Sequence, residues 1–180
     1  AMFQRFRANR RLKARNREVV DDLYAALVIR SRQDDLYLAC AIPDTVMGRF
    51  EALSVHVFLF LRRCRDEATL RPLAQEVVDR FITDIEDSIR ELGVGDPSVP
   101  KRMRKLAGVF YERVSVYDAA LDAGDAAALS AGLKGRAVPA DAPEDASARL
   151  ATYMMAENER FGAIAAETIL AGTLQPGTRP

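Results

Sequence analysis

Apolar residues recur at helical spacing along nearly the whole chain, and no sustained strand alternation interrupts them. Over about 16–31, Val19, Val20, Leu23, Tyr24 and Leu27 share one face, which predicts a first helix. An irregular link starting at Asp34 and Asp35 ends at Pro43, where Asp44 or Thr45 is placed to cap a second helix over about 49–65. That helix reads V-H-V-F-L-F-L across 55–61 and is apolar nearly all round, so it is the expected central element. Thr69 and Pro72 open a third helix, whose buried face carries Leu73, Val77, Phe81, Ile85, Ile89 and Leu92 and which ends at Gly93. A fourth begins near Ser98-Val99-Pro100 and buries Met103, Leu106, Phe110, Val114, Tyr117 and Leu121. Asp125 caps a short fifth, a two-proline loop covers 135–145, and a last helix is expected over about 145–171 with Gly172 at its end. The pattern therefore predicts an all-α, single-domain bundle of about five to six helices.

Charge divides this chain further. Residues 1–17 hold seven cations and no acid, leaving 19 cations against 26 acids in the remainder. We expect a basic N-terminal arm over 1–17, a helical domain over 18–172 and a flexible tail over 173–180. Arg5, Arg7, Arg10, Arg11, Lys13, Arg15 and Arg17, interleaved with Phe3 and Phe6, suit an anionic surface. Lipid headgroups attract such a segment electrostatically, and ribosomal RNA does so by counterion release. Composition alone does not separate the two. The longest apolar run, Val57–Leu61, is far short of a membrane span, so a cytoplasmic location is expected, extending to the face of the inner membrane.

A second cationic cluster sits at an unusual place. Lys101, Arg102, Arg104 and Lys105 crowd the start of the fourth helix, where the dipole disfavours cations by roughly 0.3–1 kcal/mol each. Compensation comes either from inside, through Asp87 and Glu91 across the Gly93–Pro97 turn, or from an external acidic partner. Arg62, Arg63 and Arg65 close the second helix, where cations suit the dipole.

Candidate chemistry is sparse. His56 is the sole histidine, which rules out any multi-histidine metal site, and its apolar helix marks it as a core residue with one hydrogen-bond partner. Cys40 and Cys64 lack metal-ligand spacing and are read as inert thiols. Gly93-Val94-Gly95 follows a helix rather than a strand, so it reads as a turn and not a phosphate loop. No catalytic set, metal or cofactor is expected.

Four blocks carry a resemblance: P-D-T-V-M-G-R-F-E (43–51), H-V-F-L-F-L-R-R-C-R (56–65), R-E-L-G-V-G-D-P-S-V-P-K-R-M-R-K (90–105) and F-Y-E-R-V-S-V-Y (110–117). In order and spacing they resemble the ubiquinol–cytochrome c chaperone family. The resemblance implies a non-catalytic assembly factor that binds newly made cytochrome b and promotes assembly of the bc1 complex. It also implies a small partner protein in mitochondrial relatives and attendance at the ribosome. Asp44, Thr45, Gly48, His56, Gly95, Asp96 and Tyr117 fall in the matched pattern. Arg49, Arg62, Arg63, Lys101, Arg102, Lys105 and Tyr111 are the candidate partner-binding residues. The link 33–48 and Met154-Met155 are the candidate client groove. The alternative reading is a ribosome-, RNA- or membrane-surface-binding module that uses residues 1–17 and 101–105.

Overall fold

The computed structural model describes residues 2–91 and 99–175, with side chains described over 4–91 and 105–175. Eight helices occur among these residues: α1 (Met2–Ser31), α2 (Asp34–Leu38), α3 (Val46–Cys64), α4 (Arg71–Glu91), α5 (Val99–Asp122), α6 (Ala126–Leu133), α7 (Ala146–Gly162) and α8 (Ala166–Leu170). No strand is present among them; one isolated bridge joins Lys134 to Val138 in the loop after α6.

The all-α architecture agrees with the periodicity, and α3 is its centre. Every residue from Glu51 to Phe60 is buried, so α3 is enclosed on all sides. Helices α1, α4, α5 and α7 enclose it. The phenyl rings of Phe50, Phe81 and Phe110 tie three of these elements together, with centroids 5.6 and 5.4 Å apart along the series. Tyr24 joins α1 to α4 by donating its hydroxyl to Asp84 at 2.5 Å, with the Arg80 guanidinium lying over its ring.

Local signals set several boundaries. Thr45 caps α3 by accepting from the Gly48 N–H at 3.1 Å, and Asp125 caps α6 by accepting from Ala128 N–H at 2.9 Å. Gly172 ends α8 with φ of 89°.

Three expectations change. The first helix does not start near residue 16; α1 runs unbroken from Met2, because Ala8, Leu12, Ala14 and the arginines are good helix formers and no glycine or proline intervenes. The link before α3 contains a short helix, α2, whose Leu36 is buried. The last helix is not continuous over 145–171. It breaks after Gly162, with Ala165 extended at ψ of 146°, and resumes as α8. The break turns Ile164 and Ile169 into the core, and Arg63 of α3 takes the Ile164 carbonyl with two donors, at 3.1 and 2.7 Å. The C-terminal boundary of α4 at Gly93 lies outside the described residues.

Gly48 is fixed by a close approach. A Cβ there would stand 1.7 Å from the Pro43 carbonyl oxygen, a backbone atom that cannot swing away. We expect Gly48→Ala to destabilise the protein by at least about 1–3 kcal/mol, as overpacking does, read by urea unfolding against the parent.

Candidate functional site

Three of the exposed large apolar side chains stand at the α2–α3 link, while Phe6, Leu12 and Ile29 on α1, Tyr111 on α5 and Leu170 on α8 are exposed elsewhere. Leu38 is 81% exposed, Met47 50% and Val46 40%. The link is held rigidly enough to present them. Leu36 and Ile42 plug the core, the Ile42 N–H donates to the Leu36 carbonyl at 3.1 Å, and the Tyr37 hydroxyl donates to the Ser31 carbonyl at 3.2 Å. Ala41 reverses the chain at φ of 59°, a conformation that costs a non-glycine residue free energy.

Two clefts meet beside this link. One, of about 210 Å³, has Val28, Val46, Phe50, Leu53 and Ile85 as an apolar floor, with Ser31, Asp84 and Ser88 at its rim. The other runs past Tyr37, Leu38 and Ile42. Arg32 and Arg49 line both, so the clefts form one bent groove with cations at the bend. Arg49 donates to Asp44 at 3.0 Å, and both side chains stay about 70% exposed, so this pair is screened and easily opened. The first cleft is mainly apolar, whereas Arg32, Asp34, Asp44 and Arg49 make up most of the lining of the second. Together they offer apolar contact beside a wall of mixed charge, which suits a segment of another protein.

The remaining predicted residues divide by burial. Arg62 and Arg63, expected on the partner-binding surface, are mostly buried and paired within the chain. Arg62 donates to Asp118 at 2.5 Å, Asp122 at 2.7 Å and Asn158 at 3.1 Å, while Arg63 donates to Glu67 at 2.6 Å besides the Ile164 carbonyl. They brace α3 against α5, α7 and the α7–α8 break. Tyr111 is 48% exposed and Lys105 is exposed, both on α5. The side chains of Lys101 and Arg102, and residues Gly95 and Asp96 altogether, lie outside the described residues. The expected meeting of Asp87 and Glu91 with the cations at 101–104 lies there too. Of the candidate groove pair, Met154 is fully buried and Met155 partly so, which places neither on the bent groove.

His56 is fully buried and has two partners rather than the expected one. Its Nδ1 lies 2.7 Å from the Ala52 carbonyl and its Nε2 2.6 Å from the Tyr153 hydroxyl. The Ala52 carbonyl can only accept, so Nδ1 carries the proton and Nε2 accepts from Tyr153. Tyr153 in turn accepts from Gln33 Nε2 at 2.9 Å. Burial pushes the imidazole pKa down to about 4, keeping it neutral. Ligation of a haem or metal by this ring would break a bond at one of its two nitrogens.

Alongside this chain, Glu157 of α7 accepts from Arg30 Nε at 2.7 Å and from Arg160 at 3.1 Å. Burial opposes the Glu157 charge, yet the Arg30 hydrogen bond and the attraction of Arg160 hold its pKa below the usual carboxylate range. On the other side of α3, Glu51 accepts from Arg113 Nη2 at 2.7 Å, and Arg113 also bonds Glu112, which accepts from Arg136 Nε at 2.8 Å. Tyr117, fully buried, and Ser54 hold hydroxyls without a partner among the described residues. Cys40 and Cys64 are buried, and burial raises the Cys64 thiol to about 12, so it stays protonated and unreactive. Sequence reasoning missed the Glu51–Arg113 pair. A carboxylate opening the largely apolar stretch from Ala52 to Leu61 was the available signal.

Fold and surface together define a class: an all-helical protein whose polar side chains brace a central buried helix and whose entry to that helix carries exposed apolar residues beside two adjoining clefts. The chain belongs to the ubiquinol–cytochrome c chaperone family, whose sequence model matches residues 38–176. The crystal structure of the Cbp3 homolog from Brucella abortus is similar at a TM-score of 0.84 and 41% identity, covering 96% of this chain and 94% of that one. Ubiquinol-cytochrome-c reductase complex assembly factor 1 of Xenopus laevis is 26% identical over 97 residues, covering 53% of this chain and 48% of that protein. Its counterpart in Mus musculus is 28% identical over 111 residues, covering 59% and 38%. The match thus spans about half the length, or less, of these two assembly factors. No helix among the described residues is long and apolar enough to cross a membrane.

The buried imidazole makes a pH prediction. Its folded pKa lies below the unfolded value of about 6.5, so the unfolded state binds the extra proton and stability falls as pH drops from about 6.5 toward 4. The full loss is about 3 kcal/mol. With no other histidine in the chain, His56→Gln should flatten urea-derived stability between about pH 6.5 and 5, where the parent declines. Separately, Glu51→Leu should cost about 1–3 kcal/mol, because Arg113 keeps Glu112 but loses its buried partner, and Glu51→Leu/Arg113→Met should recover much of it in the same unfolding assay.

Proposed function

We propose that the protein is a non-catalytic chaperone that binds newly made cytochrome b and promotes assembly of the ubiquinol–cytochrome c reductase complex. The observation that carries this reading is the family match over residues 38–176, supported by the similarity of fold across the full length of the Brucella abortus homolog. The groove beside the α2–α3 link is the client surface in this reading. Leu38, Val46 and Met47 supply apolar contact that a membrane protein emerging from synthesis would otherwise bury in lipid. Arg49 at the bend, with Tyr111, Lys105, Lys101 and Arg102 on α5, forms the rest of the docking set. The cations of residues 5–17 hold the protein near the anionic setting of synthesis and insertion, ribosome or inner-membrane surface, from the cytoplasmic side. Any small partner protein would bind the same body.

Deleting the gene should lower assembled bc1 complex while leaving its transcripts intact; normal complex levels would overturn the reading. Leu38→Asp/Met47→Asp should reduce site-specific crosslinking to cytochrome b about tenfold with unchanged helicity by circular dichroism. Undiminished crosslinking would move the client surface elsewhere.

A further inference from the structure

The N-terminal half of α1 leaves the bundle without support. Residues 4–18 are all exposed, and among the described side chains the first buried one is Val19. Arg7, Arg11 and Arg15 follow one another at i,i+4, a spacing at which like charges repel. None of the three has an acidic partner among the described residues. A solitary helix of this kind gains most from something that lies along it.

The pattern on its outer face says what that is. Positions alternating by four and three residues form one stripe of exposed side chains, the spacing of a two-stranded coil seam. At about 100° per residue the stripe faces away from Val20, Leu23 and Leu27, which pack into the core. Its first half is basic at Arg11 and Arg15, and its second half is acidic at Glu18 and Asp22. Laid antiparallel on a copy of itself about a dyad between residues 16 and 17, the stripe is self-complementary. Arg15 then meets the partner's Glu18, Arg11 meets the partner's Asp22, Ala8 meets the partner's Ala25, and Gln4 meets the partner's Ile29. Glu18 and Asp22 have no cation partner among the described residues, and Ile29 is 70% exposed.

We infer that α1 is the interface of a two-fold homodimer in which the stripes of two chains pair antiparallel. Each interface contact occurs twice, as an isologous interface requires. Because each core packs on the inner face of its own α1, the two bodies lie on opposite sides and opposite ends of the helix pair. Few of the seam positions are apolar, so ion pairing contributes much of the attachment and added salt weakens it. Arg11 and Arg15 also belong to the segment proposed to meet anionic surfaces, so a bound polyanion and a second copy exclude each other. The dimer itself does not depend on the identity of the client.

Sedimentation equilibrium of the full chain tests this without client or anion. The parent should form a dimer in about 50 mM salt that weakens about tenfold or more in about 500 mM. Arg11→Glu/Arg15→Glu and Glu18→Arg/Asp22→Arg should each be monomeric alone and dimerise when mixed, since one stripe is then all acidic and the other all basic. As a second arm, Ala8→Cys/Ala25→Cys should give a disulfide-linked dimer on mild oxidation. Within one chain these positions lie roughly 25 Å apart along the helix, too far to bridge. A parent that stays monomeric to about 100 µM in low salt overturns the inference. So does a dimer indifferent to both reversals, or a mixture that remains monomeric.

Discussion

Everything in this molecule is arranged around a helix that cannot touch water. From Glu51 to Phe60 α3 is buried on every side, so its stability rests on four neighbours closing around it at once. That constraint explains where the polar side chains go. Glu51 and His56 lie inside the apolar run, and each must find partners on other helices: Arg113 of α5 for one, Tyr153 of α7 for the other. Unpaired, either would cost more than an apolar side chain gains. Paired, they fix which neighbour stands at which height along α3, which apolar contact alone specifies poorly. At its C-terminus, Arg62 and Arg63 do the same for α5 and for the break between α7 and α8.

The same constraint separates bracing from docking. Charges on the flanks and end of α3 are consumed internally, while Leu38, Val46 and Met47 stay exposed where the chain enters α3. Gly48 against Pro43 and the left-handed Ala41 both belong to that entry.

What could be read from the sequence was what depends on neighbours in sequence. The caps at Thr45 and Asp125 are local, and both formed as their side-chain chemistry demands. The apolar run of α3 needs no partner to be recognised. The full extent of α1 was also written locally, in residues that favour helix, but its uniform charge masked it because no apolar face marks residues 4–18. Other features depend on groups far away in sequence. The α7–α8 break is held by a guanidinium about a hundred residues upstream, and Gly162, the local signal for it, does not by itself fix the turn into the core. Arg62 and Arg63 read as surface cations because Asp118, Asn158 and the Ile164 carbonyl come to them only in the folded chain. His56 was legible as a core residue, while its second bond waited on Tyr153, 97 positions later.

One helix carries both the free basic segment and part of the inner polar network. Between Met2 and Ser31 α1 has no glycine, proline or other interruption at which to bend. Arg30, in the last turn, grips Glu157, and Gln33 just beyond holds Tyr153 and through it the imidazole of His56. The exposed part therefore acts as a lever whose fulcrum is the packing of Val19 to Leu27. The surface that meets the outside and the anchor of the interior hydrogen-bonded chain are thus opposite ends of one uninterrupted element.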